Sequence, residues 1–297
     1  MKFLVVGASG FVGRNLLAHV QARGFAALGT QAHSREAALV TFDLLRHRIM
    51  DCVDRSFFQG TEPVHAVISA VISDMDLCLT DRAMAHAVNV EKTIQLINDL
   101  TDLNAKTTFL STCFVFDGRT GYYSEDAPCS PANEYGRHKA EVEEHLRRRV
   151  PGAFVPRMDK IVGDNPRDHQ LLAHWHKRIR ENQPIICLEG SLLSPTSVHD
   201  IARGIVLACE MGLTGVYHLA NSEFFYRDEL ARQFCLALGK PPNVISKPLA
   251  EFRFPDNRAL KSYLDGSRFA KETGLRFTSM REVFRAFARR LQDVAPK

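Results

Sequence analysis

At 297 residues the chain is long enough for one large or two small domains, with a core that needs no disulfide or metal staple. Hydrophobic residues make up 45% and charged residues 24%, ordinary globular usage that excludes a disordered or fibrous chain. The 38 basic and 34 acidic residues leave a net charge of +4, too small an excess to argue for a nucleic acid polymer or an anionic membrane as partner.

The seven cysteines, Cys52, Cys78, Cys113, Cys129, Cys187, Cys209 and Cys235, are odd in number and scattered. No CxxC pair occurs, so neither a disulfide framework nor a zinc site is expected, and the usage suits a reducing cytoplasm. The opening apolar run is about five residues, too short for a signal segment or a membrane span. A cytoplasmic protein without a metal is the expectation.

Phe3–Val6 reads as a buried strand that ends in a glycine turn, and Phe11–Gln21 follows with helical periodicity. Ala26–Gly29 is a second short strand and Val64–Ile72 a third. Met84–Leu100 patterns as a long amphipathic helix and Thr107–Phe116 as a strand rich in β-branched and aromatic residues. Glu134–Arg149 is helical, with Arg147 to Arg149 at the end where positive charge suits the helix dipole, and Ala153–Pro156 extends again. Strands alternating with helices imply parallel strands covered on both faces. The expected class is α/β, a parallel sheet with both faces covered. After about residue 165 the pattern loosens, and a late strand there can return to the sheet. In that second part His169–Glu181, Asp200–Met211, Tyr226–Leu238 and Ser279–Gln292 read as helices, with Asp200 as an N-cap, and Gly215–Ala220 as a late strand.

Gly7-Ala-Ser-Gly10-Phe-Val-Gly13 joins the first strand to the first helix. Glycine permits the turn, and the bare backbone lets a pyrophosphate approach the N–H groups of the helix start. An NAD site usually carries an acid at the end of the second strand, but Leu28-Gly-Thr-Gln-Ala-His-Ser-Arg35 has none. Thr30, His33, Ser34 and Arg35 offer donors to a 2′-phosphate instead, so NADP(H) is favoured over NAD(H). Asp43, followed by Leu44, ends the next short strand and offers an acceptor to the adenine amino group.

Tyr135-Gly-Arg-His-Lys139 sets a phenol and an ammonium four residues apart on one helix face. A nearby ammonium lowers a phenol's pKa and makes it a usable acid and base. Upstream, Thr112 offers a strand-end hydroxyl for a substrate carbonyl. Glycine turn, hydroxyl and YxxxK in this order form a joint signal stronger than any one of them.

These motifs, with Val67-Ile-Ser-Ala70, Asn89-Val90 and Ser111-Thr-Cys-Phe-Val-Phe-Asp-Gly118, resemble the extended short-chain dehydrogenase/reductases, closest to the dTDP-4-dehydrorhamnose reductase branch. The likeness spans nearly the whole chain and is specific mainly before residue 140. It implies a Rossmann doubly wound parallel sheet with a smaller C-terminal α+β substrate region: residues 1–165 as the NAD(P)-binding domain and 166–297 as the substrate region, from which strands and helices can return to the core. It implies catalytic positions for Thr112, Tyr135 and Lys139. It implies cofactor positions for Gly7, Gly10, Phe11, Val12, Asp43 with Leu44, and Ala70, with Tyr135 and Lys139 reaching the nicotinamide ribose. Cys113 and Phe114 stand where the branch commonly has Asp-Tyr, and the Asp-Glu pair of the dehydratases is absent. Lys160 replaces an aromatic over the sugar and offers a cation to a phosphate or carboxylate. With Thr112, Cys113 and His199, it makes up the expected substrate side.

Arg253, Arg258 and Arg268 read as solvated surface arginines, and His174-Trp-His176 as a helix face rather than a metal site. The expected activity is NADP(H)-dependent reduction of a keto group on a nucleotide-linked sugar or similar small carbonyl compound. The alternatives are a nucleotide-sugar C4 epimerase and a catalytically silent, cofactor-binding regulatory subunit. Family analogy adds a possible homodimer through the helices at Met84 and Tyr135.

Overall fold

A computed structural model describes residues 1–34 and 36–294. The strands are β1 (Lys2–Val6), β2 (Ala26–Gln31), β3 (Val40–Thr41), β4 (Val64–Ile68), β5 (Lys106–Phe109), β6 (Ser111–Thr112), β7 (Phe154–Met158), β8 (Ile161–Val162), β9 (Ile185–Leu188), β10 (Leu192–Leu193), β11 (Thr196–Ser197), β12 (Gly215–His218), β13 (Phe225–Tyr226) and β14 (Val244–Lys247). The α-helices are α1 (Phe11–Ala22), α2 (Ile49–Cys52), α3 (Met75–Thr80), α4 (Arg82–His86), α5 (Thr93–Asp102), α6 (Glu134–Arg149), α7 (Leu171–Arg180), α8 (Val198–Met211), α9 (Arg227–Ala237), α10 (Ser267–Thr273) and α11 (Met280–Val294). None of the described helices is long and apolar enough to cross a membrane.

The main sheet runs β12–β7–β5–β4–β1–β2–β3, all parallel, with β6 pairing β7 beyond β5. Chain order reverses between β1 and β4, the switch point where open α/β sheets bind ligands. Side chains of β1 alternate between two cores. Phe3 and Val5 pack with Leu16 and Val20 of α1 and Ile201, Ile205 and Val206 of α8. Leu4 and Val6 pack with Leu96, Ile97 and Leu100 of α5 and Val142 and Leu146 of α6. A third core gathers Trp175, Phe234, Phe284 and Phe287, joining α7, α9 and α11 to the short pair β9–β14. Residues beyond 165 therefore contribute a separate core, the strand β12 to the main sheet, and the helix α8 packed on its face.

Several elements differ from their sequence patterns. The strand expected to reach Ile72 ends at Ile68, because the amides of Ser69 and Ala70 both turn back to the Val6 carbonyl (2.9 and 3.0 Å). The helix expected over Met84–Leu100 carries a π-helical turn at Ala87–Lys92. Buried Asn89 lies in that turn and clasps the backbone of Ile72, its Oδ1 accepting from the amide (2.8 Å) and its Nδ2 donating to the carbonyl (2.9 Å). Such turns gather at functional sites. The strand expected over Thr107–Phe116 splits into β5, β6 and a 3₁₀ turn at Cys113–Val115. Ser197, not Asp200, caps α8 by accepting from the His199 amide (3.3 Å). Buried Asp200 instead accepts from the Thr278 amide (2.6 Å) and tethers the segment before α11.

Candidate active site

The glycine turn crosses the switch point. Gly7 has φ +85°, and a Cβ there would stand 2.7 Å from the Ala70 amide nitrogen, so only glycine fits. The Gly7 amide donates to Thr30 Oγ1 (3.1 Å) and the Ala8 amide to the Thr30 carbonyl (2.7 Å). Thr30 is buried and its hydroxyl oxygen helps hold the turn by accepting from Gly7. Gly10 caps α1 without a side chain, and the first-turn amides of Phe11, Val12 and Gly13 have no partner within the helix.

Beside this turn lies a cavity of about 470 Å3, within the range of small-molecule sites. Gly7, Gly10, Thr30, His33, Asp43, Leu44 and Ala70 line it. Phe11 and Val12 do not: the Phe11 ring meets the Arg14 guanidinium (5.5 Å) and Val12 packs on the core. Arg35 lies outside the described residues. Asp43 Oδ1 accepts from the Leu45 amide (2.9 Å) and Oδ2 faces Arg46 Nε (3.5 Å), so the aspartate also shapes the 43–47 turn. Arg46 and Gln31 line the cavity as well and escaped the sequence reading. Gln31 ends β2, buried, with its Oε1 accepting from the Glu36 amide (3.0 Å). Its place at the strand end was the available signal. Glycine cradle, free amides and absence of a strand-end carboxylate fit a dinucleotide with its phosphates over α1.

The catalytic candidates come from two neighbouring elements. Thr112 ends β6, buried, and its Oγ1 accepts from the Phe114 amide (3.3 Å). Tyr135 and Lys139 sit on α6, capped by Asn133 Oδ1 accepting from the Gly136 amide (2.8 Å). A Cβ on Gly136 would stand 2.0 Å from the Phe114 carbonyl oxygen, so the glycine after Tyr135 lets α6 press against the turn that follows Thr112. Lys139 Nζ lies 5.9 Å from the Tyr135 ring centroid and donates to the Leu110 carbonyl (2.6 Å), two residues before Thr112. Tyr135 packs with Val71 and Ile72, which also wall the cavity.

The electrostatics differ from the sequence expectation. Burial pushes the Tyr135 phenol above its ordinary value, and the Cys113 and Cys78 thiols add to the effect. The ammonium does not reverse this, because desolvation of a phenolate outweighs attraction across that separation. Burial pushes Lys139 down to about 7, although Glu143 pulls it up. Glu143 was missed. It is four residues beyond Lys139, so Tyr135, Lys139 and Glu143 form one stripe, and an i+4 acid was the readable signal. Buried Glu143 accepts from Arg157 Nη2 (2.6 Å) and from Ser111 Oγ.

On the substrate side Cys113 is buried and its thiol donates to Asp159 Oδ1 (3.3 Å), with burial raising its pKa well above normal. Lys160 is half-buried. His199 Nε2 meets Asp164 Oδ1 (3.0 Å), and Arg290 approaches Asp164 Oδ2 (3.2 Å). Arg258 is not a solvated surface group. Its side chain is 13% exposed, pairs with Asp76 (2.7 Å) and stacks on Phe254 (4.3 Å). Arg268 does stay exposed, beside Glu272 (3.3 Å). Among the described residues no group of three His, Cys, Asp or Glu could hold a metal ion.

A parallel sheet in this order, with a glycine cradle at its switch point and a Tyr–Lys helix beside it, defines a Rossmann-fold, NAD(P)-dependent oxidoreductase. More narrowly, the family model described as the RmlD substrate binding domain matches residues 1–293, and the chain belongs to this family, within the extended short-chain dehydrogenase/reductases. It is 26% identical over 283 residues to the Probable low-salt glycan biosynthesis reductase Agl14 of Haloferax volcanii, covering 92% of this chain and 93% of that protein. It is 29% identical over 283 residues to the Probable dTDP-4,6-dihydroxy-2-methyloxan-3-one 4-ketoreductase of Streptomyces antibioticus, covering 93% and 90%. It is also 25% identical over 247 residues to methionine adenosyltransferase 2 subunit beta of Danio rerio, covering 81% and 75%. The dTDP-4-dehydrorhamnose reductase of Bacillus anthracis, solved in complex with NADP, shares the fold at TM-score 0.82 and 21% identity, covering 97% and 99%.

Proposed function

We propose that the chain is an NADP(H)-dependent reductase of a keto group on a nucleotide-linked sugar. The observation that carries this reading is the convergence of Tyr135, Lys139 and the Thr112 strand end beside a glycine-cradled cavity. Reductases of dTDP sugars among its relatives support the substrate class. For the cofactor, β2 ends in Gln31 with no acid to meet a 2′-hydroxyl, and His33 and Arg46 stand on the cavity wall. The NADP complex of a fold neighbour agrees with that preference.

Bound NADPH supplies the hydride that reduces the carbonyl carbon. Tyr135 Oη donates its proton to the carbonyl oxygen, completing the alcohol. Burial favours this direction, since a phenol held above its ordinary pKa arrives protonated. Thr112 Oγ1 donates a hydrogen bond that orients the carbonyl. Lys139, tethered to Leu110, holds an ammonium near the phenolate left behind.

The test is NADPH oxidation against a panel of UDP- and dTDP-linked 4-keto sugars. We expect turnover with at least one, a kcat/KM for NADPH at least tenfold above NADH, and a loss of about 10²–10⁴-fold in Tyr135→Phe with NADPH affinity retained. Turnover that survives Tyr135→Phe unchanged overturns the mechanism, and NADPH binding without turnover on any member of the panel favours a regulatory role.

A further inference from the structure

Two cations on the substrate side have no use in the mechanism above. Lys160 stands two residues beyond Met158, which pairs in register with Thr112. Its carbonyl accepts from the Thr196 amide (2.9 Å), which pins it at the start of the β8–β11 pair. Arg227 opens α9, its amide donating to the Ser191 carbonyl (2.8 Å). Both residues are half-buried. Neither forms an ion pair with any described carboxylate, whereas half-buried Lys247 and Arg258 do. Both hang on the one short stretch from Ser191 to Thr196; burial first and then the Arg227 guanidinium push Lys160 below its ordinary value, and burial lowers Arg227.

Asp159 pulls Lys160 part of the way back up but forms no ion pair with either cation. Its Oδ1 accepts from the Ser262 hydroxyl (2.7 Å) and the Cys113 thiol (3.3 Å), its Oδ2 from the Ser194 amide (2.6 Å) and hydroxyl (3.3 Å). Those four contacts come from neutral donors and fix the carboxylate. Cys113 follows Thr112 and its thiol meets Asp159, the residue before Lys160, so Lys160 adjoins the reacting end of the site. Unpaired like charges in a half-buried space are costly, and an anion is what offsets them. A planar guanidinium beside an ammonium suits a carboxylate.

We propose that Lys160 and Arg227 seat a carboxylate borne by the sugar next to the reduced carbon, so that the substrate class is a nucleotide-linked keto-sugar acid. This rests on the nucleotide-sugar reading above and narrows it. The alternative source of the same negative charge is the nucleotide's diphosphate.

Calorimetry on the NADP-loaded full chain separates the two, with UDP-glucuronate against UDP-glucose and the dTDP-linked pair as probes, at one fixed ionic strength. The acid is expected to bind at least tenfold tighter than the neutral sugar. Lys160→Met and Arg227→Gln should each cut that ratio below threefold, and Lys160→Arg should keep it. NADP affinity reports whether each variant has folded. If the Met and Gln variants do not fold, the wild-type ratio and Lys160→Arg decide. Equal binding of acid and neutral sugar by the wild type overturns the proposal while leaving the nucleotide-sugar reading intact. Equal loss of both probes in the variants also overturns it, assigning the pair to the diphosphate. Failure of every probe to bind overturns both readings.

Discussion

Arg157 and Lys160 are three residues apart on one stretch of chain, yet they meet opposite surroundings. Arg157 is buried against Glu143, with Nη2 at 2.6 Å and Nε at 3.1 Å from its oxygens. Lys160 is half-buried near a second cation and meets no acid within ion-pair distance among the described residues. The difference separates scaffold from site. A buried charge with a matched partner is part of what holds the sheet and α6 together, and removing one member strands the other. A charge with no partner contributes nothing of that kind and stays available to a ligand.

The sharpest way to break this comparison is Glu143→Gln. It leaves the Arg157 guanidinium buried without a counter-charge and deprives Ser111 Oγ of a carboxylate acceptor. The expected cost is about 3–5 kcal/mol of unfolding free energy, read from urea midpoints at constant slope. A loss under about 1 kcal/mol would mean that the pair is not structural.

The same glutamate bears on Lys139, which burial lowers to about 7 while Glu143 pulls it up. Below about pH 7 Lys139 carries its charge, and above it the ammonium is lost. If that ammonium stabilises the phenolate formed at Tyr135, kcat/KM for reduction is level at low pH and falls up to tenfold per unit above about pH 7. Removing the Glu143 charge should move the fall to lower pH. Stability runs the other way. The unfolded lysine titrates near about 10.4, so between about pH 7 and 10 the unfolded chain binds more protons. The penalty for burying this lysine is full below about 7 and fades as pH rises to about 10. Urea midpoints of wild type relative to Lys139→Met across that range check the sign, and a gap that does not change with pH would contradict it.

What could be read from the sequence follows how local each feature is. The glycine turn and Tyr135–Lys139 spacing are set within a few residues, so strand, turn and helix announce them. Glu143 continues the same stripe and was legible by the same rule. The split of Thr107–Phe116 was not, because β6 leaves β5 only to pair with β7, a partner more than forty residues away. Asp200 looked like a cap because acids favour helix starts, but Ser197 takes that role and Asp200 turns to Thr278, 78 residues on. Lys160 was visible as a departure from its family. Its neighbourhood with Arg227 was not, since 67 positions separate them and only the packing of the C-terminal region brings the charges together.

The smallest expected effect tests the other half of the comparison. Lys160→Met removes a half-buried cation and keeps a flexible apolar stem of similar length. If the lysine had a hidden structural partner, its loss would strand an acid and lower stability by 2 kcal/mol or more, as Glu143→Gln does from the other side. Among the described residues Asp159 is the acid near enough to be such a partner, and its oxygens are already met by Ser194, Ser262 and Cys113. The urea midpoint of Lys160→Met should therefore stay within about 0.5 kcal/mol of wild type or rise, since relief from Arg227 offsets the lost solvation of the ammonium. A neutral result paired with a large loss in Glu143→Gln would show that one stretch of chain carries a cation for the fold and, three residues on, another for its ligand.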